Sequence, residues 1–187
     1  LLSINDHLLS AATYHASPHC DDRTHDNIEL IVIHNISLPE REFGGEHVIN
    51  FFTGQLDISL HPFFKQIAHL RVSAHLFIRR TGQIIQFVPF NKRAWHAGVS
   101  NYKGRECCND FSIGIEMEGC DDITYAPEQY DSLAQVTHSL FSVYPLLNKD
   151  KIVGHSDIAP ERKTDPGKSF DWDHYHHLLK ALASDIG

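Results

Sequence analysis

The chain has 187 residues and no apolar run approaching the roughly 18 residues that cross a bilayer, so a membrane-spanning helix is not expected. It also lacks a positive balance: 16 Lys and Arg stand against 24 Asp and Glu, a formal net charge of −8. Nucleic acid and anionic membrane are bound through a basic face, so neither is expected as a partner. No Gly/Ser or Pro tract resembles a linker and no internal repeat is visible. One domain covering 1–187 is the expected organisation, within the usual span of about 100 to 200 residues. Cysteine is scarce, and Cys20, Cys107, Cys108 and Cys120 include an adjacent pair but no CxxC spacing. This argues against a zinc knuckle and against a secreted disulfide framework, leaving free thiols as the simpler expectation. Residues 1–7 lack the basic start and apolar core of a secretion signal. A cytoplasmic location is therefore expected.

Histidine, by contrast, is plentiful, at 15 residues. One of them opens the densest stretch of chemistry in the chain, 154–167, where His155, Lys163 and Asp165 lie close together. Lys151, Ile152 and Val153 predict a short strand ahead of it, placing His155 at a strand's carboxyl end. Pro160, Pro166 and Gly167 predict an ordered loop without a long helix. A catalytic zinc typically takes three protein ligands and keeps one position open. The best third candidate beside His155 and Asp165 is His34, which ends the apolar, β-branched run from Leu30 to Ile33. A strand-end histidine capped by a hydrogen bond is the alternative that this segment alone leaves open.

Within 111–118, Ile113, Ile115 and Met117 alternate with Gly114, Glu116 and Glu118, which predicts a strand with one apolar and one carboxylate-bearing face. Gly114 leaves room beside Glu116 for a ligand or another backbone. Glu116 is the candidate general base for a metal hydrolase, whereas Glu118 is expected to be a solvated strand residue. Further strands are expected at 29–34, 74–80, 83–88 and 151–155, with Thr81 and Gly82 turning a hairpin. Helices are expected at 45–53, 127–144 and 171–184, the second opening on Pro127. The interleaving predicts an α/β fold, a single domain with a mixed central β-sheet flanked by α-helices.

Against the acidic whole, 91–106 carries Lys92, Arg93, Lys103 and Arg105 opposed only by Glu106, with Trp95, His96 and Tyr102 among them. A cationic rim with an aromatic platform would suit an acidic, sugar-bearing ligand, and a solvated loop with Trp95 tucked into the core is the alternative. Arg71, whose fork can grip a carboxylate, is a further candidate. His174, His176 and His177 are expected on the surface of the last helix. His69, His75 and His96 are candidates to line a cleft but not to ligate.

Several segments together resemble a known family. They are Val32-Ile33-His34-Asn35-Ile36-Ser37-Leu38-Pro39, Glu42-Phe43-Gly44-Gly45, Ala68-His69-Leu70-Arg71-Val72-Ser73-Ala74-His75, Arg93-Ala94-Trp95-His96-Ala97-Gly98, the stretch from Cys108 to Glu116, and 154–167. In order, across roughly 17–173, they resemble the zinc-dependent N-acetylmuramoyl-L-alanine amidases, a group that also includes peptidoglycan recognition proteins, and within it the AmpD-type amidases that act on 1,6-anhydro-muropeptides. The resemblance implies one Zn2+ per chain held by His34, His155 and Asp165, with Glu116 as catalytic acid or base and Lys163 assisting the reacting carbonyl. It also implies hydrolysis of the amide between the lactyl group of the anhydromuramoyl sugar and L-alanine, in cytosolic peptidoglycan recycling. Asn35, Arg71, Trp95 and Arg105 are the candidate substrate contacts, and a monomer is the default. Cys107 departs from the pattern, standing where a basic residue is expected, which bears on one anionic contact to the peptide. A muropeptide sensor without catalysis and a zinc peptidase acting on another acidic peptide are the alternatives.

Overall fold

In the computed structural model, which describes residues 2–184, the longest apolar runs become the middle of a six-stranded sheet. Its strands are β1 (Thr13–Tyr14), β2 (Leu30–Ile36), β3 (Leu76–Ile78), β4 (Ile84–Gln86), β5 (Ser112–Glu118) and β6 (Ile152–Gly154). The spatial order is β6-β2-β5-β3-β4-β1. β6, β2, β5 and β3 run parallel, β4 runs antiparallel to β3, and β1 pairs in parallel with β4, so the sheet is mixed.

Alternation along β2 and β5 assigns each side chain to a face. Ile31, Ile33, Ile113, Ile115 and Met117 point to one side. There they pack with Leu133, Val136 and Leu140 of α3 (Pro127–Val143) and with Tyr175 and Leu179 of α5 (Trp172–Ser184). Burying each such side chain contributes about 1.5–3 kcal/mol. The start of α3 is tied to the sheet through Gln129, whose Oε1 accepts from Ala126 N while its Nε2 donates to the carbonyls of Ile78 and Glu118. The opposite face is covered by α1 (His47–Phe52), α2 (Pro62–Ile67) and the single turn α4 (His155–Ile158). The expected helices and central strands are present with ends shifted by one or two residues. α2 was not expected; it starts on Pro62, with His61 Nδ1 accepting from Phe63 N at 3.2 Å.

One expectation is corrected here. Glu118 is not solvated: it is 3% exposed, and its carboxylate accepts from Gly44 N at 2.6 Å and Arg80 N at 2.9 Å. A central strand is covered on both faces, and here the 43–46 loop closes over the polar one. The four cysteines are unpaired, and no helix among the described residues is long and apolar enough to cross a membrane.

Candidate active site

Strand register assembles the site. The parallel pairing of β2 with β5 sets His34 opposite Glu116, and the pairing of β6 with β2 sets Gly154 opposite Ile33. His155, the next residue, therefore arrives beside His34 at the carboxyl ends of parallel strands, where open α/β sheets commonly bind ligands. The loop after α4 then brings back Asp165, whose carbonyl accepts from Ser156 N at 3.0 Å.

His34 Nδ1, His155 Nδ1 and Asp165 Oδ2 form a triangle with edges of 2.9, 3.0 and 3.1 Å. Both imidazoles are buried and the carboxylate nearly so. This is the only such donor cluster among the described residues. Protons do not account for it. His155 Nε2 lies 3.1 Å from the Ala97 carbonyl, which can only accept, so the proton of the neutral ring sits on Nε2 and Nδ1 is bare. A bare nitrogen facing a carboxylate oxygen and a second nitrogen at these distances calls for a cation. Bond lengths of about 2.0–2.2 Å would space tetrahedral donors about 3.3–3.6 Å apart, a few tenths of an ångström wider than the edges seen, and two imidazoles with one carboxylate suit catalytic zinc.

The electrostatics agree. Burial pushes His34 down to about 4 despite the opposing Asp165, and burial likewise holds His96 and His75 well below the ordinary imidazole value. Burial alone would raise the Asp165 carboxyl, yet the group is held low at its contacts with His155 and His34; an imidazole presenting a bare Nδ1 supplies no such attraction, whereas a cation between the three groups would. Glu116 moves the other way: burial, and then the charge of Asp165, push it well above the usual carboxylate range, with Lys163 opposing. Its Oε2 is buried without a hydrogen-bond partner. A buried oxygen without a partner disfavours the carboxylate form, in line with the raised proton affinity of the group.

These groups share a cavity of about 460 Å³. Of the sequence candidates it brings together His34, His155, Asp165, Glu116, Lys163, Asn35 and Trp95. Asn35 is fixed by donating to Asp121 Oδ1 and the Pro166 carbonyl, and Trp95 stacks on His19. Arg71 and Arg105 do not line the cavity. Arg71 is exposed and donates to the Ala68 carbonyl, while Arg105 pairs with Glu29 and lies over the Phe111 ring. The cationic rim expected at 91–106 is largely neutralised, because Lys92 pairs with Asp22 and Arg93 with Asp21 and Asp110. Instead, Arg162 and Lys163 are the cations in the cavity wall.

His96 lines the cavity without joining the donor triangle, as expected, but its contact with His34, Nδ1 to Nε2 at 2.9 Å, was not foreseen. The space beside Gly114 holds neither ligand nor backbone but the His96 ring, which a Cβ there would meet at 2.4 Å. The glycine was the available signal; only the fold shows what fills it.

Comparison with known proteins gives one direction throughout. The pattern of the N-acetylmuramoyl-L-alanine amidases matches residues 24–168. The chain is 58% identical over 164 residues to the 1,6-anhydro-N-acetylmuramyl-L-alanine amidase AmpD of Escherichia coli K12, covering 87% of this chain and 89% of that protein. It is 53% identical over 165 residues to AmpD of Haemophilus influenzae, covering 88% and 90%. A selenomethionine crystal structure of AmpD superposes with a TM-score of 0.92 at 55% identity, covering 94% of this chain and 98% of that one. AmpDh3 of Pseudomonas aeruginosa, in complex with anhydromuramic pentapeptide, superposes at 0.59 with 28% identity, covering 81% and 59%. By the matched pattern and these identities, the chain belongs to the N-acetylmuramoyl-L-alanine amidase family.

Proposed function

We propose that this chain is a zinc-dependent 1,6-anhydro-N-acetylmuramyl-L-alanine amidase, releasing the stem peptide from the lactyl group of the anhydro sugar during peptidoglycan recycling. The reading takes it to be cytoplasmic and monomeric, with one zinc per chain. The observation that carries it is the convergence, in one cavity, of the three-donor triangle and the buried Glu116 carboxyl. The same convergence favours catalysis over a muropeptide sensor, which has no use for a buried base. His34, His155 and Asp165 would hold the metal, which when bound supplies Lewis acidity and makes water a nucleophile near neutral pH.

Glu116 takes the proton of the attacking water and hands it to the leaving nitrogen of L-alanine. A carboxyl whose proton affinity is raised suits both transfers. Lys163 faces the charge that develops on the former carbonyl oxygen, a contribution worth roughly 2.7–4 kcal/mol per donor in comparable sites. Asn35, braced by Asp121, and Trp95 form the wall against which the substrate is oriented.

The test is metal content. The purified wild type is expected to hold one equivalent of zinc, chelation to abolish turnover and zinc to restore it, and Asp165→Ala to lose most of the metal. A fully loaded Asp165→Ala protein would remove Asp165 from the site.

A further inference from the structure

The loop segment His96–Ala97 touches both candidate histidine ligands on the side away from the donor triangle. Its backbone is held by two side chains: Asn109 Oδ1 accepts from His96 N at 3.1 Å and from Ala97 N at 2.8 Å, and Arg162 Nη2 donates to the Ala97 carbonyl at 2.7 Å. From this seat the Ala97 carbonyl accepts the His155 Nε2 proton at 3.1 Å, and His96 Nδ1 meets His34 Nε2 at 2.9 Å.

The direction of that second contact is forced by a chain of hydrogen bonds running back into the sheet. Ser112 Oγ lies 2.6 Å from the Cys108 carbonyl, which has no proton to give, so the hydroxyl donates there. The hydroxyl is thereby spent as a donor, and at its 3.1 Å contact with His96 Nε2 the oxygen accepts. The neutral His96 ring then carries its proton on Nε2 and presents a bare Nδ1, which accepts from His34 Nε2–H. His34 is left with a bare Nδ1 aimed into the triangle. The ring can lie along this line only because Gly114 has no side chain.

The geometry points to His96 as a positioning residue for the metal site, fixing the tautomer and ring angle of His34 through the Cys108–Ser112–His96 relay, while the adjoining Ala97 carbonyl does the same for His155. Partners that hold the far nitrogen of a metal-binding imidazole typically change metal affinity by about 10- to 100-fold when removed. The inference rests on the zinc reading above, yet one arm of its test does not depend on metal.

That arm is imidazole nitrogen NMR on the full-length, 15N-labelled protein, with and without zinc. His96 is expected to show a protonated Nε2 and a bare, hydrogen-bonded Nδ1 in both states. A proton on His96 Nδ1 overturns the relay whether or not zinc binds. The second arm measures zinc affinity by competition with a chromophoric chelator. His96→Phe keeps a ring over Gly114 but removes the acceptor, and is expected to bind zinc about 10- to 100-fold more weakly. His96→Asn, which returns an acceptor oxygen near the position of Nδ1, is expected to recover most of that loss. Wild-type affinity in His96→Phe would overturn the proposal. Should that variant fail to fold, Ser112→Ala removes the relay's fixed point without touching the ring; a mixture of His96 tautomers supports the assignment, and an unchanged single tautomer contradicts it. A wild type that takes up no zinc would defeat the metal reading instead, and the NMR arm would still decide the relay.

Discussion

Glu116 and Glu118 sit two residues apart on the same face of β5, and partners alone give them opposite roles. Both oxygens of Glu118 are engaged, by Gly44 N and Arg80 N. Glu116 lines the cavity, and its Oε2 is buried without a partner. Glu116→Gln preserves shape and is expected to retain zinc while turnover falls about 100-fold or more. It should also stabilise the metal-free protein. Because the folded carboxyl is raised well above 4.5, the folded state keeps a proton that the unfolded chain releases, so the stability present below the unfolded value is lost progressively as pH rises from there through the folded value. The urea midpoint of metal-free Glu116→Gln should therefore exceed that of metal-free wild type at pH 7, and the two should converge under acid conditions below the unfolded value. Equal midpoints at pH 7 would show that the carboxyl carries no such burden. The period-two pattern of 112–118 identified the shared face but could not separate the two glutamates, since the loop that covers Glu118 lies about 70 residues earlier in the chain.

At the scale of elements, legibility followed locality. β2, β5 and α3 announce themselves through runs of β-branched residues and a helical apolar stripe, and His34 and His155 could be placed because each closes such a run. β1, with two residues, and α2, with six, carry too little periodicity to stand out. The segment carrying His96 has no regular pattern at all, and its importance comes from contact with two strands distant in sequence. Gly114 is where this hidden contact surfaces. Gly114→Ala places a methyl 2.4 Å from the His96 ring, so the ring must move off His34. The expected result is weaker zinc binding and a loss of activity that added zinc partly restores, with the circular dichroism of the sheet and helices unchanged. Normal zinc affinity in Gly114→Ala would mean that the ring position does not matter.

Across the whole molecule, a net charge of −8 must be reconciled with an acidic peptide substrate. The basic segment at 91–106 looked like the answer in sequence, but Asp21, Asp22, Asp110 and Glu29, drawn from other parts of the chain, compensate Lys92, Arg93 and Arg105. Local charge counts cannot see partners brought in by the fold. The cations left at the cavity are Arg162 and Lys163. Lys163→Ala is thus expected to lower kcat by about 100-fold or more, in line with loss of an oxyanion donor, whereas Arg71→Ala should leave kcat/KM within about threefold of wild type, because exposed charges outside a site contribute little. A larger loss in Arg71→Ala than in Lys163→Ala would return peptide recognition to the outer surface. The bond that is broken defines the activity. Zinc-loaded protein incubated with an anhydromuramoyl peptide in water labelled with heavy oxygen, with the products read by mass spectrometry, tests it most directly. The expected products are free stem peptide with an unlabelled L-alanine amine and an anhydro sugar carrying the label in its lactyl carboxylate; label in a peptide carboxylate, with the sugar still attached to L-alanine, would rule out amidase cleavage.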